Sequence, residues 1–273
     1  MIKPDKISLI VTTYNWPEAL RLGLLALENQ DENFEVLIAD DGSCSETAEM
    51  ISSMRAKLSY PIRHIHQEDD GFRAAKIRNK AAAQAEGDYL IFMDGDCIPS
   101  SHFLARHRGL AERNWWVTGN RILLSEPFTK KIIEDALPIQ KKNFFYWCKQ
   151  RFSRNCNRLL PLLHFRFQEI RKWFLRSWKG AKTCNLAVWK KDFIAVNGFD
   201  EAYEGWGYED SDLVVRLIRA NVYRKDGRFA IPVFHLWHTE NDRSSEGENA
   251  ERLEKILSNE RVKAQLGVQQ YME

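Results

Sequence analysis

Tyr89-Leu90-Ile91-Phe92-Met93, followed at once by Asp94-Gly95-Asp96, is the stretch on which the reading of this chain turns. Five strand-forming residues without polar alternation describe a strand buried on both faces. The acidic pair behind it falls where open α/β sheets bind ligands, outside the carboxyl ends of their strands. Two carboxylates one glycine apart repel each other in a partly dry crevice unless a divalent cation or donor groups offset them, and hard oxygen ligands suit manganese or magnesium. A solvated acidic turn would use the same residue types, so the surroundings decide.

Upstream, residues 7–13 form a β-prone run, followed by Tyr14-Asn15-Trp16-Pro17 and a helical pattern of Leu20, Leu24, Leu25 and Leu27 with Pro17 in its first turn. Residues 34–39 form a second buried strand that ends in Asp40-Asp41-Gly42-Ser43, before a helix opening at Ser45. Residues 62–66 predict a third strand, 74–86 an alanine-rich helix and 89–93 the fourth strand. Such alternation predicts an α/β fold, a Rossmann-like and mainly parallel sheet flanked by helices. Neither G-x-x-x-x-G-K-[ST] nor G-x-G-x-x-G occurs after the first strand, which argues against P-loop enzymes and dinucleotide oxidoreductases.

Composition narrows the class further. With 273 residues, 44% of them hydrophobic, the chain can build a substantial core. No run of 18 apolar residues is present, and residues 7–11 are too short and wrongly flanked for a signal peptide, so a cytoplasmic protein is expected. Five cysteines without a C-x-x-C pair suggest reduced thiols and give structural zinc little support. The net charge of +2 is unevenly spread. Residues 130–182 carry 14 lysines and arginines against three acids, a balance of +11, so the remainder stands at −9. An acidic body with one basic segment calls for an anionic partner or surface.

Four motifs in order, Thr12-Thr13-Tyr14-Asn15, Asp40-Asp41-Gly42-Ser43, Ala75-Lys76-Ile77-Arg78-Asn79 and Asp94-Gly95-Asp96, resemble the nucleotide-sugar half of family 2 glycosyltransferases of the GT-A fold. The resemblance implies that Thr12, Tyr14 and Asp40 or Asp41 contact the nucleoside and that Arg78 lies near the base or phosphates. It also implies that Asp94 and Asp96 hold the ribose and the metal-diphosphate. Asn15 and Gly95 are counted in the same site as members of these motifs. A diphosphate that no P-loop cradles needs backbone amides and a metal, which agrees with the resemblance.

After a helix expected over 101–113 and a strand over 115–118, the pattern changes. From residue 130 to 182 basic and aromatic residues interleave, with Phe144-Phe145-Tyr146-Trp147, Phe152, Phe165, Phe167, Trp173-Phe174 and Trp178. A cationic helical segment of this kind can lie on an anionic membrane surface, here the cytoplasmic face of the inner membrane, or can pack on the domain as an ordinary arm. Three regions follow: a nucleotide-sugar half (1–125), a basic aromatic insertion (126–182) and an acceptor half (183–273) closed by an amphipathic helix over 250–265 with Leu253, Ile256 and Leu257 inward.

In the last region Tyr203-Glu204-Gly205-Trp206-Gly207-Tyr208-Glu209-Asp210 leads into a helix expected at 213–219. Two glycines around a tryptophan permit a bent loop that presents a ring to a sugar, whereas acids at a helix N-terminus are favoured by its dipole even without catalysis. The stretch resembles β-1,4-galactosyltransferases and bacterial chondroitin-type polymerases. That resemblance implies an acceptor site of Trp206, Gly207 and Glu209, with Asp210 as catalytic base and Glu209 beside it. Tyr208 stands where the galactosyltransferases usually have glycine, which leaves the donor sugar open. A strand over 229–236 ends near His235 and His238. Imidazole suits manganese, and the resemblance favours His238 as the residue that completes a metal site with Asp96 and Asp94.

The combined expectation is a metal-dependent, inverting transferase that moves a sugar from a nucleotide-sugar, with UDP the first candidate, to a glycan or glycolipid of a bacterial cell surface. The alternative is a noncatalytic sugar-nucleotide or glycolipid binder of the same fold, which would have no need to keep Asp96, Asp210 and His238 together. No nucleic-acid partner is expected, because no familiar binding module is present.

Overall fold

The computed structural model describes residues 2–30, 32–164, 169–240 and 242–272. Seven strands form the main sheet: β1 (Ile7–Thr13), β2 (Phe34–Asp40), β3 (Ile62–His66), β4 (Tyr89–Asp94), β6 (Trp115–Thr118), β8 (Leu186–Trp189) and β9 (Tyr223–Asp226). Their order is β3-β2-β1-β4-β8-β6-β9. β1 to β4 run parallel, β8 is antiparallel to both β4 and β6, and β9 is parallel to β6. The chain order reverses around β1, which is the switch point where such sheets open a crevice. Register puts the expected motifs on that rim, since Thr13 pairs with Asp40 and Thr12 with Asp94.

The all-apolar strands are explained by helices on both faces. Leu20, Leu24 and Leu27 of α1 (Pro17–Leu27) and Ile51 and Met54 of α2 (Ser45–Arg55) pack with Ile7, Leu9 and Val11 of β1. Ala75, Ile77 and Ala81 of α3 (Ala74–Gln84) and Leu213, Val214 and Leu217 of α8 (Glu209–Arg219) cover Ile10, Leu90 and Phe92 on the other side.

Several boundaries differ from the sequence reading. The helix expected at 101–113 is α4 (Phe103–Leu110), and α8 begins at Glu209 rather than 213 because Tyr208, at φ +70°, turns the chain into it. Between them lies α7 (Lys190–Ala195). The last helix, α9, is Glu246–Leu257; Leu253 and Ile256 are buried in it, but Leu257 is exposed at its end. The strand expected over 229–236 is confined to β10 (Pro232–His235) and lies outside the main sheet. It joins a second sheet, antiparallel to β5 (Cys97–Pro99) and parallel to β7 (Asn120–Leu123), and so brings His235 opposite Cys97.

The basic segment is not one continuous helical arm. It contains α5 (Glu126–Glu134) and α6 (Phe144–Phe152), capped by Asn143, whose side chain accepts from the Tyr146 amide. Arg154 at φ +58° then breaks the helical path, and short 3-10 turns follow at Leu160–Leu162 and Glu169–Lys172. Phe165 and Phe167 lie outside the described residues. Much of the segment packs on the body: Trp147 is buried and stacks on Phe234 of β10 with centroids 4.4 Å apart and 7° between planes. Arg171 is buried and donates to the carbonyls of Asp226 and Arg228. Among the described residues no helix is long and apolar enough to cross a membrane, and all five cysteines are free thiols.

Candidate active site

Arg78 organises the crevice. It rises from α3 between the ends of β1 and β4, almost fully buried, and spends each nitrogen on a different element. Nε donates to Thr12 Oγ1 at 2.9 Å, one terminal nitrogen to Asp94 at 3.1 Å and the other to Glu209 at 3.0 Å. Two of the partners are carboxylates, so the buried guanidinium is compensated rather than orphaned. Glu209, expected on the acceptor, is thus held inward at the first turn of α8, because the pull of a buried cation outweighs exposure to solvent. Burial pushes the Asp94 carboxyl up from its ordinary value, against the opposing pull of Arg78.

Gly95 lets this edge close. Its amide donates to the Thr12 carbonyl at 2.7 Å, and an added Cβ would lie 3.0 Å from that same oxygen. The next residue, Asp96, faces β10 and the turn after it, with one oxygen 3.1 Å from His238 Nε2 and 3.4 Å from His235 Nε2. The Cys97 thiol donates to its other oxygen at 3.3 Å. Burial would raise the Asp96 carboxyl, but the hydrogen bond from His238 and the charges of both histidines hold it below the usual range. The His238 imidazole is raised in turn, chiefly by its bond to Asp96.

His238 Nδ1 lies 2.7 Å from the Thr239 carbonyl. With an N–H donated there, loss of the Nε2 proton that faces Asp96 would leave Nε2 free to serve as the ring's ligand. Carboxylate and imidazole converging in this way fit manganese or magnesium as a donor set. His235, Asp96 and Cys97 also lie within coordinating distance of one another, but burial holds the Cys97 thiol well above its ordinary value, so it stays protonated and suits a hard cation poorly. His235 is nearly as close as His238, held there by the pairing of β10 with β5.

The two aspartates after β2 play different parts. Asp40 is fully buried, with one oxygen 2.7 Å from His64 Nε2 and the other accepting from the Ser43 amide. Asp41 is also buried and accepts from Gln67 and from the Arg73 amide; burial raises its carboxyl against the pull of those two bonds. Tyr14 is half exposed and donates to Asp69 at 3.0 Å. Asn15, at φ +46°, binds the Cys44 amide through its side chain and thereby fastens the first loop to the second.

Across the crevice the loop before α8 is pinned at several points. Glu204 pairs with Arg73, and its carbonyl and that of Trp206 accept from Asn249. The Gly205 amide donates to the Phe72 carbonyl. Trp206 is partly exposed, with Arg243 lying 4.5 Å over one ring face. Gly207 at φ +114° and Tyr208 at +70° turn the chain into α8, a backbone path that favours glycine at the first position and strains the second. The turn sets Glu209 and Asp210 side by side. Burial, with the neighbouring Glu209 charge, raises Asp210 to about 7. No ion pair forms at Asp210 among the described residues, whereas Asp212 is fully buried against Arg216 at 2.6 Å. Arg73, Arg243 and His64 were not singled out by sequence reading, because nothing local marks a side chain whose partner lies far along the chain.

A mostly parallel sheet that switches order at β1 and delivers Asp94 and Asp96 to the crevice is the GT-A arrangement of glycosyltransferases. The chain belongs to glycosyl transferase family 2, whose model matches residues 8–169, more than half its length. Residues 167–236 match a second model, described as the N-terminal domain of galactosyltransferase. The hyaluronan synthase of Pasteurella multocida is 28% identical over 250 residues, covering 82% of this chain and 24% of that protein. A chondroitin synthase of Escherichia coli is 25% identical over 241 residues, covering 80% and 33%. The chain therefore spans a third or less of these two synthases. Among solved structures, the mannosyltransferase PcManGT of Pyrobaculum calidifontis, in complex with GDP-Man and Mn2+, superposes with a TM-score of 0.61 at 15% identity, over 94% of this chain and 64% of that one. That likeness is one of fold.

Proposed function

We propose that the chain is an inverting, metal-dependent glycosyltransferase that uses a nucleotide-sugar, first a UDP-sugar, and a cell-surface glycan or glycolipid acceptor at the cytoplasmic face of the membrane. The observation that carries this reading is the pairing of roles at the start of α8. Glu209 is held by Arg78, which also holds Asp94, while Asp210 forms no ion pair among the described residues and is raised to about 7 by burial and the Glu209 charge, against the weaker pull of Lys182 and Arg78. A carboxylate poised near neutral pH is suited to take a proton.

In the proposed reaction the acceptor hydroxyl loses its proton to Asp210 as its oxygen bonds to the anomeric carbon. The bond from that carbon to the diphosphate oxygen breaks on the opposite face, and its electron pair leaves with the nucleoside diphosphate. Asp96 and His238, with Asp94 and His235 close by, would hold a divalent cation, which would neutralise charge on that leaving group. Tyr14, Asn15, Asp41 and Thr12 line the nucleoside side, with Gly95 allowing close approach at its edge. Trp206 and Gly207 offer the acceptor ring a partly exposed aromatic face. Residues 1–125 thus serve the donor and 183–273 the acceptor, and 126–182 form the insertion that packs beside β10.

The relatives' names support a glycan acceptor, because both synthases build polysaccharides. Calorimetric titration of UDP-sugars and GDP-mannose with and without manganese tests the donor half. Determination of the anomeric configuration of the product tests inversion, and retention of configuration would overturn the reading.

A further inference from the structure

The inner face of α6 is spent on packing, and its outer face is not. Trp147 points inward onto Phe234, while Phe145 and Phe152 are 81% and 92% exposed. Seven residues apart, these two rings fall on one stripe of the helix. Lys149 lies between them on the same side, four residues after one and three before the other. Arg151 lies on the same helix, and Lys141, Lys142, Arg154 and Arg158 lie shortly before or after it in the chain, all exposed like Lys149, and none of these six cations forms an ion pair among the described residues. No acidic residue occurs between 136 and 164. Two exposed phenylalanines standing out from a field of unneutralised cations are costly in water, and either feature alone would suit a different partner.

We propose that this stripe of α6 docks on an anionic phospholipid surface, with Phe145 and Phe152 entering the interface and the cations on headgroup phosphates. Aromatic rings and basic residues on one helix face are the combination that a charged bilayer accepts. A soluble polyanion would use the cations but leave the rings in water. A second copy of the chain meeting face to face would bury the rings but oppose two sets of like charges. The location also fits, because Trp147 clamps α6 to Phe234, the residue next to His235. Docking there sets the metal edge of the crevice beside the membrane, within reach of an acceptor sugar carried on a lipid. This inference rests on the proposed transferase reading only for that last step.

Co-sedimentation of the full chain with vesicles of phosphatidylcholine, with and without phosphatidylglycerol, tests it. The expected result is binding that requires phosphatidylglycerol and weakens as salt screens the surface charge. Phe145→Ser/Phe152→Ser should bind these vesicles at least about tenfold more weakly, since each ring removed from water contributes to partitioning. Lys149→Gln/Arg151→Gln should lose several-fold. Donor affinity by calorimetry and circular dichroism should be unchanged in both variants, as none of these residues lies in the crevice. Equal binding to both vesicle types, no binding by the parent, or variants that bind like the parent would overturn the proposal. So would a dimer in sedimentation velocity that the serine variant dissolves, since the stripe would then cover a second copy. Vesicle binding needs neither donor nor acceptor, so its failure is separate from failure of the catalytic reading, which the calorimetry reports in the same preparations.

Discussion

Arg78 and Glu209, 131 positions apart in the chain, meet in a 3.0 Å ion pair that fastens the first turn of α8 to the ends of β1 and β4. The same guanidinium reaches Asp94 at 3.1 Å, so one side chain spans the two halves of the site. Removing it should leave two carboxylates facing each other without compensation. Arg78→Ala is expected to cost about 3–5 kcal/mol of stability, the usual effect of stranding a buried charge. Arg78→Lys should recover part of the stability and little turnover, because a single ammonium cannot reach Thr12, Asp94 and Glu209 together. Thermal melts and steady-state kinetics on both variants check this, and a lysine variant with parental turnover would contradict it.

Asp212 provides the contrast. It belongs to the same acidic run as Asp210, yet it is fully buried against Arg216. Asp212→Asn should therefore destabilise the fold while the protein that remains folded keeps kcat within a few-fold of the parent. Active-site titration combined with denaturant melts separates the two quantities. A loss of kcat in fully folded Asp212→Asn would move the base away from Asp210.

How far the sequence carried is clearest at these residues. β1, β2 and β4 were legible because strands of six or seven residues, apolar on both faces, cannot be confused with loops, and the acids that end them fall on the sheet rim by register alone. β5, β7 and β9 were not legible, since three or four residues carry no period and, unlike Trp115–Thr118, these are not wholly β-prone runs. With them went the second sheet, whose pairing sets His235 opposite Cys97. The acids at the start of α8 announced a helix N-terminus or a site, with Asp210 as base implied by the resemblance, but not which cation each acid meets. That depends on Arg78 choosing Glu209 and Arg216 choosing Asp212, choices made in space. The basic segment gave its composition but not its division into a packed half around Trp147 and an exposed half around Phe145 and Phe152.

The metal prediction follows from the convergence on Asp96. With His238 at 3.1 Å and His235 at 3.4 Å, a cation placed there would draw on one carboxylate and one or two imidazoles. Asp96→Asn and His238→Ala should each weaken manganese binding, read by calorimetry, by about ten- to a hundredfold, and Asp96→Asn should abolish turnover. Excess chelator should abolish the parent's activity and added manganese restore it. Full activity in chelator would exclude a metal requirement.

The last prediction concerns Asp210 and its pH dependence. Its carboxyl, ordinarily near 3.8, is raised to about 7 by burial and the neighbouring Glu209. A base must be deprotonated to act, so kcat/KM should fall about tenfold per pH unit below that value, with a plateau above it. The stability effect has the opposite sign. Because the folded state holds the proton more tightly than the unfolded chain, this group's contribution is fully present below about pH 4 and is lost as pH rises through 7. At pH 8 the folded protein therefore carries an unfavourable buried charge. Asp210→Asn should remove that charge and stabilise the protein at pH 8 by at most about 4 kcal/mol, the equivalent of three pKa units, with less expected because the side chain keeps some contact with water. The same variant should lose roughly a hundred- to ten-thousandfold in kcat while donor affinity is unchanged. Opposite movements of Tm and kcat in one substitution are the signature of a residue kept for chemistry at the expense of the fold. Melting curves at pH 5 and pH 8, set beside a kcat/KM profile over the same range, measure both. An Asp210→Asn protein that is less stable than the parent at pH 8, or whose turnover lies within a few-fold of it, would remove Asp210 from the role and leave Glu209 as the remaining carboxylate on that side of the crevice.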